Sequence, residues 1–164
     1  MSNLTSSIGR VEDALIAALK THATILAGKG RLVPTPVCAG YPDGGPNDEH
    51  IFTLGLVDDW DQEFDTSAGN VSGQIIGSKN ESYTLRARIL TRANTKDGYR
   101  AARDRALALL GALEDTCRTN FTLTGTCQLA QLTGGIFVEQ LESNHRDVGI
   151  EARIRIVAWL GDPA

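Results

Sequence analysis

The sequence has few of the features that define membrane proteins or disulfide-rich secreted proteins. No apolar run approaches the roughly 20 residues that a transmembrane helix needs, so we predict no membrane contact. The first residues, MSNLTSSIGRVED, lack a basic segment followed by an apolar one, and we expect no secretory signal there. Three cysteines without a CxxC pair fit buried thiols in a reducing compartment. With 164 residues, the chain is predicted to form one domain, 1–164.

Sequence motifs for catalysis are also missing. GxGxxG, GxSxG and HExxH do not occur. Residues 73–79, GQIIGSK, depart from a phosphate-binding Walker loop in their spacing and in the Ser that precedes the Lys. We therefore predict no cofactor and no enzymatic activity. A small cytosolic enzyme with an unrecognised pocket is the most distant alternative.

Residue types that can bind metals occur at scattered positions along the chain. His22 lies on the apolar side of a predicted helix, where a core or interface position is expected, whereas His50 and His145 are expected to be exposed. The three histidines and three cysteines show no paired ligand spacing, so we predict no metal site. The acidic run 58–65 lacks the Gly and Glu of a calcium-binding loop, which favours a solvated or subunit-facing acidic patch.

Charge is unevenly distributed, although the net charge of −4 gives no support to a dedicated nucleic-acid binder. Basic residues are concentrated in the middle of the chain: Arg86, Arg88, Arg92, Lys96, Arg100, Arg103 and Arg105. Acidic residues are concentrated just before them: Asp43, Asp48, Glu49, Asp58, Asp59, Asp61, Glu63 and Asp65. A chain with separate acidic and basic regions can pair with itself or with copies of itself.

The centre of the fold is predicted to be a strand, a short turn and a helix within residues 82–114. From 82 to 92 the residues alternate between an apolar face and a basic face, which is typical of a half-buried strand. From 97 to 117 apolar residues recur every three or four positions, which indicates an amphipathic helix. The two elements are expected to bury their apolar faces against each other.

The other segments predict an α+β fold with a mostly antiparallel sheet and two helices packed on one face. We predict a helix at 7–26, an extended edge or lead-in at 31–38, a long loop at 39–50 and a strand at 51–57. A short strand at 74–76, a turn at 78–81 and an extended stretch at 119–126 are also expected. A C-terminal β-hairpin is predicted from 127–132 and 136–141 around the turn Thr133-Gly134-Gly135, followed by a long last strand at 148–160.

Arginine-bearing faces on the central and last strands predict a surface opposite the helices. Nucleic acid, water or another subunit can all meet such a face, but no aromatic residues interleave with these arginines as a stacking platform would require. Leu90 and Trp159 among the charges favour a subunit interface. The candidate interface residues are Arg86, Arg88, Leu90, Arg92, Arg153, Arg155, Trp159, Asp58, Asp59 and Asp61.

The second half of the chain resembles the tail terminator, or tail completion, proteins of long-tailed bacteriophages. The resemblance lies in ESYTLRARI from Glu81, AARDR from Ala101, ALED from Ala112, LTGT from Leu123, CQLAQL from Cys127 and IEARIRIV from Ile150. The first half is similar only in outline, through the first helix and the strand at 51–57. The loop at 39–50 has no counterpart in the family pattern.

This resemblance implies a structural virion protein, assembled in the host cytoplasm and located in the tail or neck. It implies a ring of copies, expected to be hexameric, that caps the tail tube, ends tail elongation and provides the head-docking surface. The implied partners are other copies, the tail tube protein, a neck or head-completion protein and DNA passing non-specifically through the lumen. Loop residues expected to contact the tube or neck are Tyr41, Asp43, Asp48 and Glu49. A neck protein of the head–tail connector, a stopper or adaptor, is the first alternative.

A pore through which DNA slides should not carry dense positive charge, because each phosphate contact adds affinity. We therefore expect the interface arginines to lie mostly between subunits rather than in the lumen.

Overall fold

The structure, a computed structural model, describes residues 6–28, 33–40, 49–65, 78–93, 98–141 and 146–160. Its elements are the helices α1 (Ile8–Lys20), α2 (Ala23–Ala27) and α3 (Tyr99–Thr119), and the strands β1 (Val37–Ala39), β2 (Glu49–Asp65), β3 (Ser78–Ala93), β4 (Leu129–Leu141) and β5 (Arg146–Trp159). The strands form one sheet in the order β1-β2-β3-β5-β4, with every neighbouring pair antiparallel except β1 and β2. The predicted α+β class and mostly antiparallel sheet are confirmed.

The core lies between the sheet and the helices α1 and α3. On β3, the side chains of Tyr83, Leu85, Ala87 and Ile89 are buried, and the residues between them are half-buried on the opposite face. The inward residues of β5 alternate in the same way, in register with those of β3. On α3 the buried stripe is Ala102, Ala106, Leu109, Ala112, Leu113, Thr116 and Cys117. The predicted packing of the central strand against the central helix is therefore confirmed.

The first helix ends earlier than the sequence predicts. One helix was predicted at 7–26, but the chain breaks at Thr21 and His22 and restarts as α2. His22 has an extended backbone, and its Nδ1 accepts a hydrogen bond from the Thr24 amide at 3.2 Å, so it caps the second helix. Gly28 then ends α2 at φ +57°, where a Cβ would lie 1.9 Å from the Val33 carbonyl oxygen.

Strand β2 is longer than predicted at both ends. Glu49 and His50 belong to β2 rather than to the predicted loop, and His50 is buried, so its predicted exposure is wrong. Residues 58–65 continue the strand because irregularities in register between 53 and 57 and between 58 and 61 absorb extra residues. The predicted turn at 78–81 is also wrong, because these residues pair with β2 as the start of β3. Residues 41–48, the predicted strand at 74–76 and His145 lie outside the described residues.

The predicted edge position of residues 31–38 is confirmed for Val37 and Cys38, which form part of the edge strand β1. Two prolines precede this strand and leave it only three residues long. The stretch at 119–126 forms consecutive turns, with positive φ at Leu123 and Thr124, so its predicted extended conformation is wrong.

The C-terminal hairpin pairs β4 with β5, but its turn is not where the sequence predicts it. Thr133, Gly134 and Gly135 lie within β4, where the register shifts between Leu132 and Gly134. A Gly-Gly pair fits a bulge as well as a turn, and here Gly135 approaches the backbone of β5 closely. A Cβ on Gly135 would lie 2.9 Å from the Glu151 carbonyl oxygen, whereas one on Gly134 would meet nothing within 4 Å.

The two adjacent glycines give a matched pair of variants. We expect Gly135→Ala to lower the free energy of unfolding by about 1–3 kcal/mol, because the new methyl group forces two paired backbones apart. Gly134→Ala should change it by less than about 0.5 kcal/mol, since its site is open. Urea unfolding of both variants tests this difference. Equal destabilisation by the two substitutions would contradict the close approach at Gly135.

Candidate subunit interface

The outer face, defined here as the side of the sheet opposite the helices, carries the predicted arginines. Arg86 lies near its middle, between β2 and β5. Its Nε is 2.6 Å and its Nη2 is 2.5 Å from Asp58 Oδ2, and its Nη1 is 3.4 Å from Glu151 Oε1. These contacts join three strands through one guanidinium group. Much of the hydrogen-bonding capacity of Arg86 is therefore used within its own chain.

Arg92 forms a second pair across the same face. Its Nε and Nη2 donate to the two oxygens of Asp147 at 2.7 and 2.8 Å, and the two residues are directly opposite in register. Such a two-bond contact places the guanidinium and carboxylate in one plane. Sequence alternation identified the face of Arg92 correctly, but it gave no sign of this partner.

Arg153, Arg155 and Trp159 are the exposed members of the predicted set on β5. Within the part of the chain that the structure describes, neither Arg153 nor Arg155 forms a salt bridge, and Trp159 is 58% exposed. Arg88 and Leu90 are half-buried on β3, with Leu90 between its register partners His50 and Gly149. The structure thus leaves the β5 arginines and Trp159 as the most accessible part of the predicted interface.

The acidic residues of the predicted interface lie on β2, across β3 from the arginines of β5. Asp59 and Asp61 are exposed at the irregularity in β2, where Asp59 has a φ of 52°. Asp59 and Arg155 line one shallow cleft of about 260 Å³ together with Ser82 and Thr84. The outer face therefore brings the acidic and basic parts of the predicted interface together across one strand.

The loop residues predicted to contact the tube or neck fall into two groups. Tyr41, Asp43 and Asp48 lie outside the described residues. Glu49 is not a loop residue but the first residue of β2, with 5% of its surface exposed. Its carboxylate oxygens accept hydrogen bonds from Arg105 Nε and Nη2 at 2.8 and 2.6 Å. Its role as a contact to the tube or neck is therefore replaced by an internal one.

Exposed apolar residues at the β4 edge were missed by sequence reasoning. Ile136 is 50% exposed and Phe137 is 43% exposed, and Phe121, in the turns before β4, is 53% exposed. The segment was interpreted as a two-stranded hairpin with its own pairing, so its position at the edge of the sheet was not foreseen. The available signal was composition, because 129–141 contains no Lys, Arg or Pro to protect an edge.

Among the described residues, no group of three or more His, Cys, Asp or Glu side chains is arranged to hold a metal ion. A groove of about 860 Å³ lies between α1 and the end of α3 and is lined mainly by alanines and threonines. At its edge, His22 Nε2 lies 3.3 Å from Asp115 Oδ2, while Nδ1 accepts from Thr24. Nδ1 therefore caps α2, and Nε2 links α2 to α3.

None of the described helices has the length and apolarity that a membrane span requires.

Comparison with known proteins gives distant structural matches. No protein-family model matches the chain, and no curated protein matches it. A chain from the virion of a native gene transfer agent particle is similar in structure. The match has a TM-score of 0.42 and 14% identity, and it covers 94% of this chain and 99% of that chain. This score is too low to support an argument, so the functional proposal depends on the residues of this chain.

A buried carboxylate on the helix side of the sheet attaches the first helix to β3. Glu81 is fully buried, and it accepts hydrogen bonds from the Ser6 and Ser7 hydroxyls, the Ser7 amide, Trp60 Nε1 and Gln62 Nε2 at distances between 2.5 and 3.0 Å. Burial alone would raise the pKa of Glu81, but these hydrogen bonds outweigh it and lower the pKa from 4.5 to about 2. Glu81 is thus a charged anchor at the start of α1.

Proposed function

We propose that this chain is a structural protein of a phage tail that forms a ring, expected to be hexameric, on the end of the tail tube. The ring ends tube growth and provides the surface on which the head docks, and DNA passes through its lumen. The observation that carries this proposal is the placement of the segments that resemble tail terminators. They build β3 and β5 inside the sheet, β4 at its edge, and α3, which is most of the helical layer, and they include the exposed arginine face.

The outer face has the properties of an assembly surface rather than those of an active site. Arg86 and Arg92 are neutralised by carboxylates of their own chain, which stabilises the sheet without a partner. Arg153, Arg155 and Trp159 remain exposed for one. An exposed tryptophan beside two arginines has the composition of an interaction hot spot. Arg153 and Arg155 lie beside the edge of the sheet, because β5 pairs with the last strand, β4, and in a head-to-tail ring they contact a different surface of the next copy.

The tail tube protein and a neck or head-completion protein are the proposed partners at the two ends of the ring. DNA is expected to pass without specific contacts. Arg86 and Arg92 are already paired within the chain, and the exposed arginines are expected between subunits, so the lumen should carry little free positive charge. A ring with Arg86, Arg88, Arg153 and Arg155 all lining the lumen would contradict the proposal.

Deletion of the gene from its phage tests the function directly. We expect tails of abnormal length, measured by electron microscopy, because nothing then ends tube polymerisation. Tails of normal length that fail to join heads would instead assign the chain to the neck. Normal infectious particles would overturn both assignments. A particle reconstruction that places the chain on the last tube ring would support the terminator role.

Charge reversal on β5 tests the proposed interface. We expect Arg153→Glu with Arg155→Glu to reduce complementation of the deletion phage at least about tenfold, since like charges facing each other at an interface cost more than 1.4 kcal/mol. Arg100→Glu is the matched control, because Arg100 is exposed on α3 rather than on the outer face. Equal titres for the β5 variant and the control would remove these arginines from the interface.

A further inference from the structure

Strand β4 is a long edge strand whose outer side has no pairing partner among the described residues. Its 13 residues span about 43 Å at ~3.3 Å per residue. Proteins usually protect such edges with prolines, lysines or short strands, because unpaired N–H and C=O groups bind other strands. Strand β4 contains no proline, lysine or arginine. We therefore expect the unpaired side of this edge strand to be covered by a binding partner.

Exposed apolar side chains lie on both faces of this edge. Ile136 is opposite Glu151, whose half-buried side chain belongs to the outer face, whereas Phe137 is opposite Ile150, a buried residue of the helix-side face. Both are at least 43% exposed. A partner lying flat on one face would cover only one of them. A partner that continues the sheet sideways, with a strand and the layer behind it, covers both.

The opposite edge of the same sheet is also apolar. Strand β1 forms that edge, and near it Val33 is 65% exposed and Leu26 is 50% exposed. Leu26, Pro34, Pro36 and Val37 line an open cleft of about 380 Å³ there. Of the eight large hydrophobic side chains that are exposed in the described part of the chain, five thus lie at the two edges: Phe121, Ile136 and Phe137 at the first and Leu26 and Val33 at the second.

The two edges are complementary in charge. At the β1 edge, Lys20 lines the cleft, and the described residues 20–28 and 33–40 contain no Asp or Glu. Strand β4 contains one acidic residue, Glu139, and no Lys or Arg. Two identical β4 edges would bring like charges near each other, whereas a β4 edge facing a β1 edge brings opposite charges together.

Strand direction agrees with this pairing. Strand β1 runs parallel to β2, and the alternation through β3 and β5 makes β4 antiparallel to β1. When copies stand side by side in one orientation, β4 of one copy and β1 of the next are antiparallel. Antiparallel pairing continues the ladder in its more stable form.

We propose that the β4 edge of one copy docks against the β1 edge of the next copy, with Ile136 and Phe137 packed against Val33 and Leu26. This heterologous contact repeats around a ring. This contact rests on the proposed function, because the proposed ring holds the copies in a common orientation. The partner of the β4 edge is thus a second copy of this chain rather than the tube.

Cross-linking between the two edges tests this contact. The background is Cys38→Ser, which leaves the buried Cys117 and Cys127. Phe137→Cys is made in one protein and Val33→Cys in a second, size-tagged one, and the two are mixed at millimolar concentration with a short bis-maleimide. The mixed cross-link should exceed either self cross-link by at least about tenfold, because docking holds the two sulfurs at high effective concentration.

Leu107→Cys serves as the matched control, since Leu107 is 47% exposed and lies on α3 rather than on either edge strand. Its cross-links with either edge variant should stay at background, and adding Ile136→Glu to the Phe137→Cys protein should reduce the mixed product to that level. A dominant Phe137→Cys self product, or a mixed product no stronger than the control, would overturn the proposal. Such a failure leaves the tail-length phenotype unaffected, so the edge contact and the terminator role can fail separately.

Discussion

Replacing Glu81 with glutamine is expected to lower the free energy of unfolding at pH 7 by about 3 kcal/mol. The estimate comes from the pKa of Glu81, which is 4.5 ordinarily and about 2 in the folded chain, at roughly 1.4 kcal/mol for each unit of pKa. The physical cause is the set of donors that converge on one carboxylate. Glutamine has a single acceptor oxygen, and its NH₂ group would face a donor that is then left without a partner.

The same substitution should change the acid sensitivity of the protein. Because folding lowers the pKa of Glu81, its contribution to stability is complete above pH 4.5 and is lost as the pH falls towards 2. Wild type should therefore lose more stability than Glu81→Gln between pH 5 and 2, and the two should approach each other near pH 2. Urea unfolding at a series of pH values measures this convergence.

Glu114→Gln is the control for this experiment, because Glu114 is exposed on α3. It should change the free energy of unfolding by less than about 0.5 kcal/mol at every pH. Trp60 gives a second signal, since its Nε1 donates to Glu81 at 2.7 Å. A constant difference between wild type and Glu81→Gln across the pH range would show that the carboxylate charge does not stabilise the fold.

Periodicity predicted the parts of the fold where one physical rule dominates. In β3 and α3 the apolar pattern, the local propensity and the burial agree, so the strand, the helix and their contact were all predictable. The face of each β3 arginine followed from the same alternation. Even the inward position of Glu81 was available, because it shares the parity of Tyr83 and Leu85, and a buried charge requires partners.

Other features depend on contacts that sequence spacing does not encode. The sequence predicts only an acidic patch at 58–65 and no strand, yet the segment pairs with β3 because two irregularities in register keep the strand in place. Thr133-Gly134-Gly135 satisfies the rules for a turn and a bulge equally well, and the approach of β5 decides between them. Likewise, the pairing of Arg86 with Asp58 and of Arg92 with Asp147 depends on which strands become neighbours.

Substitution of Arg105 by methionine is expected to be the most destabilising of the changes considered. Arg105 Nε and Nη2 hold the buried Glu49 carboxylate, and Nη2 also lies 3.1 Å from Thr35 Oγ1 and 3.3 Å from the Thr24 carbonyl oxygen. The Thr35 hydroxyl donates to the same carboxylate. One guanidinium group therefore joins α3, β2, α2 and the segment before β1.

Removing only one member of such a buried pair leaves the other as an uncompensated charge, which costs about 3–5 kcal/mol. We expect a loss of this size for Arg105→Met, measured by urea unfolding. The double variant Arg105→Met with Glu49→Leu should recover most of it, because two apolar side chains of similar size then fill the site. Arg103→Met is the matched control, since Arg103 and Asp104 form a pair that is 40% and 58% exposed and should contribute less than about 1 kcal/mol.

The double-mutant cycle separates the two possible roles of this cluster. If the pair acts through its charges, the Arg105 and Glu49 substitutions are strongly non-additive, and the double variant is more stable than Arg105→Met alone. If Arg105 acts mainly through the packing of its aliphatic stem, methionine already replaces that stem, and the single variant should lose little. A single-variant loss below about 1 kcal/mol would therefore reject the buried ion pair as the link between β2 and α3.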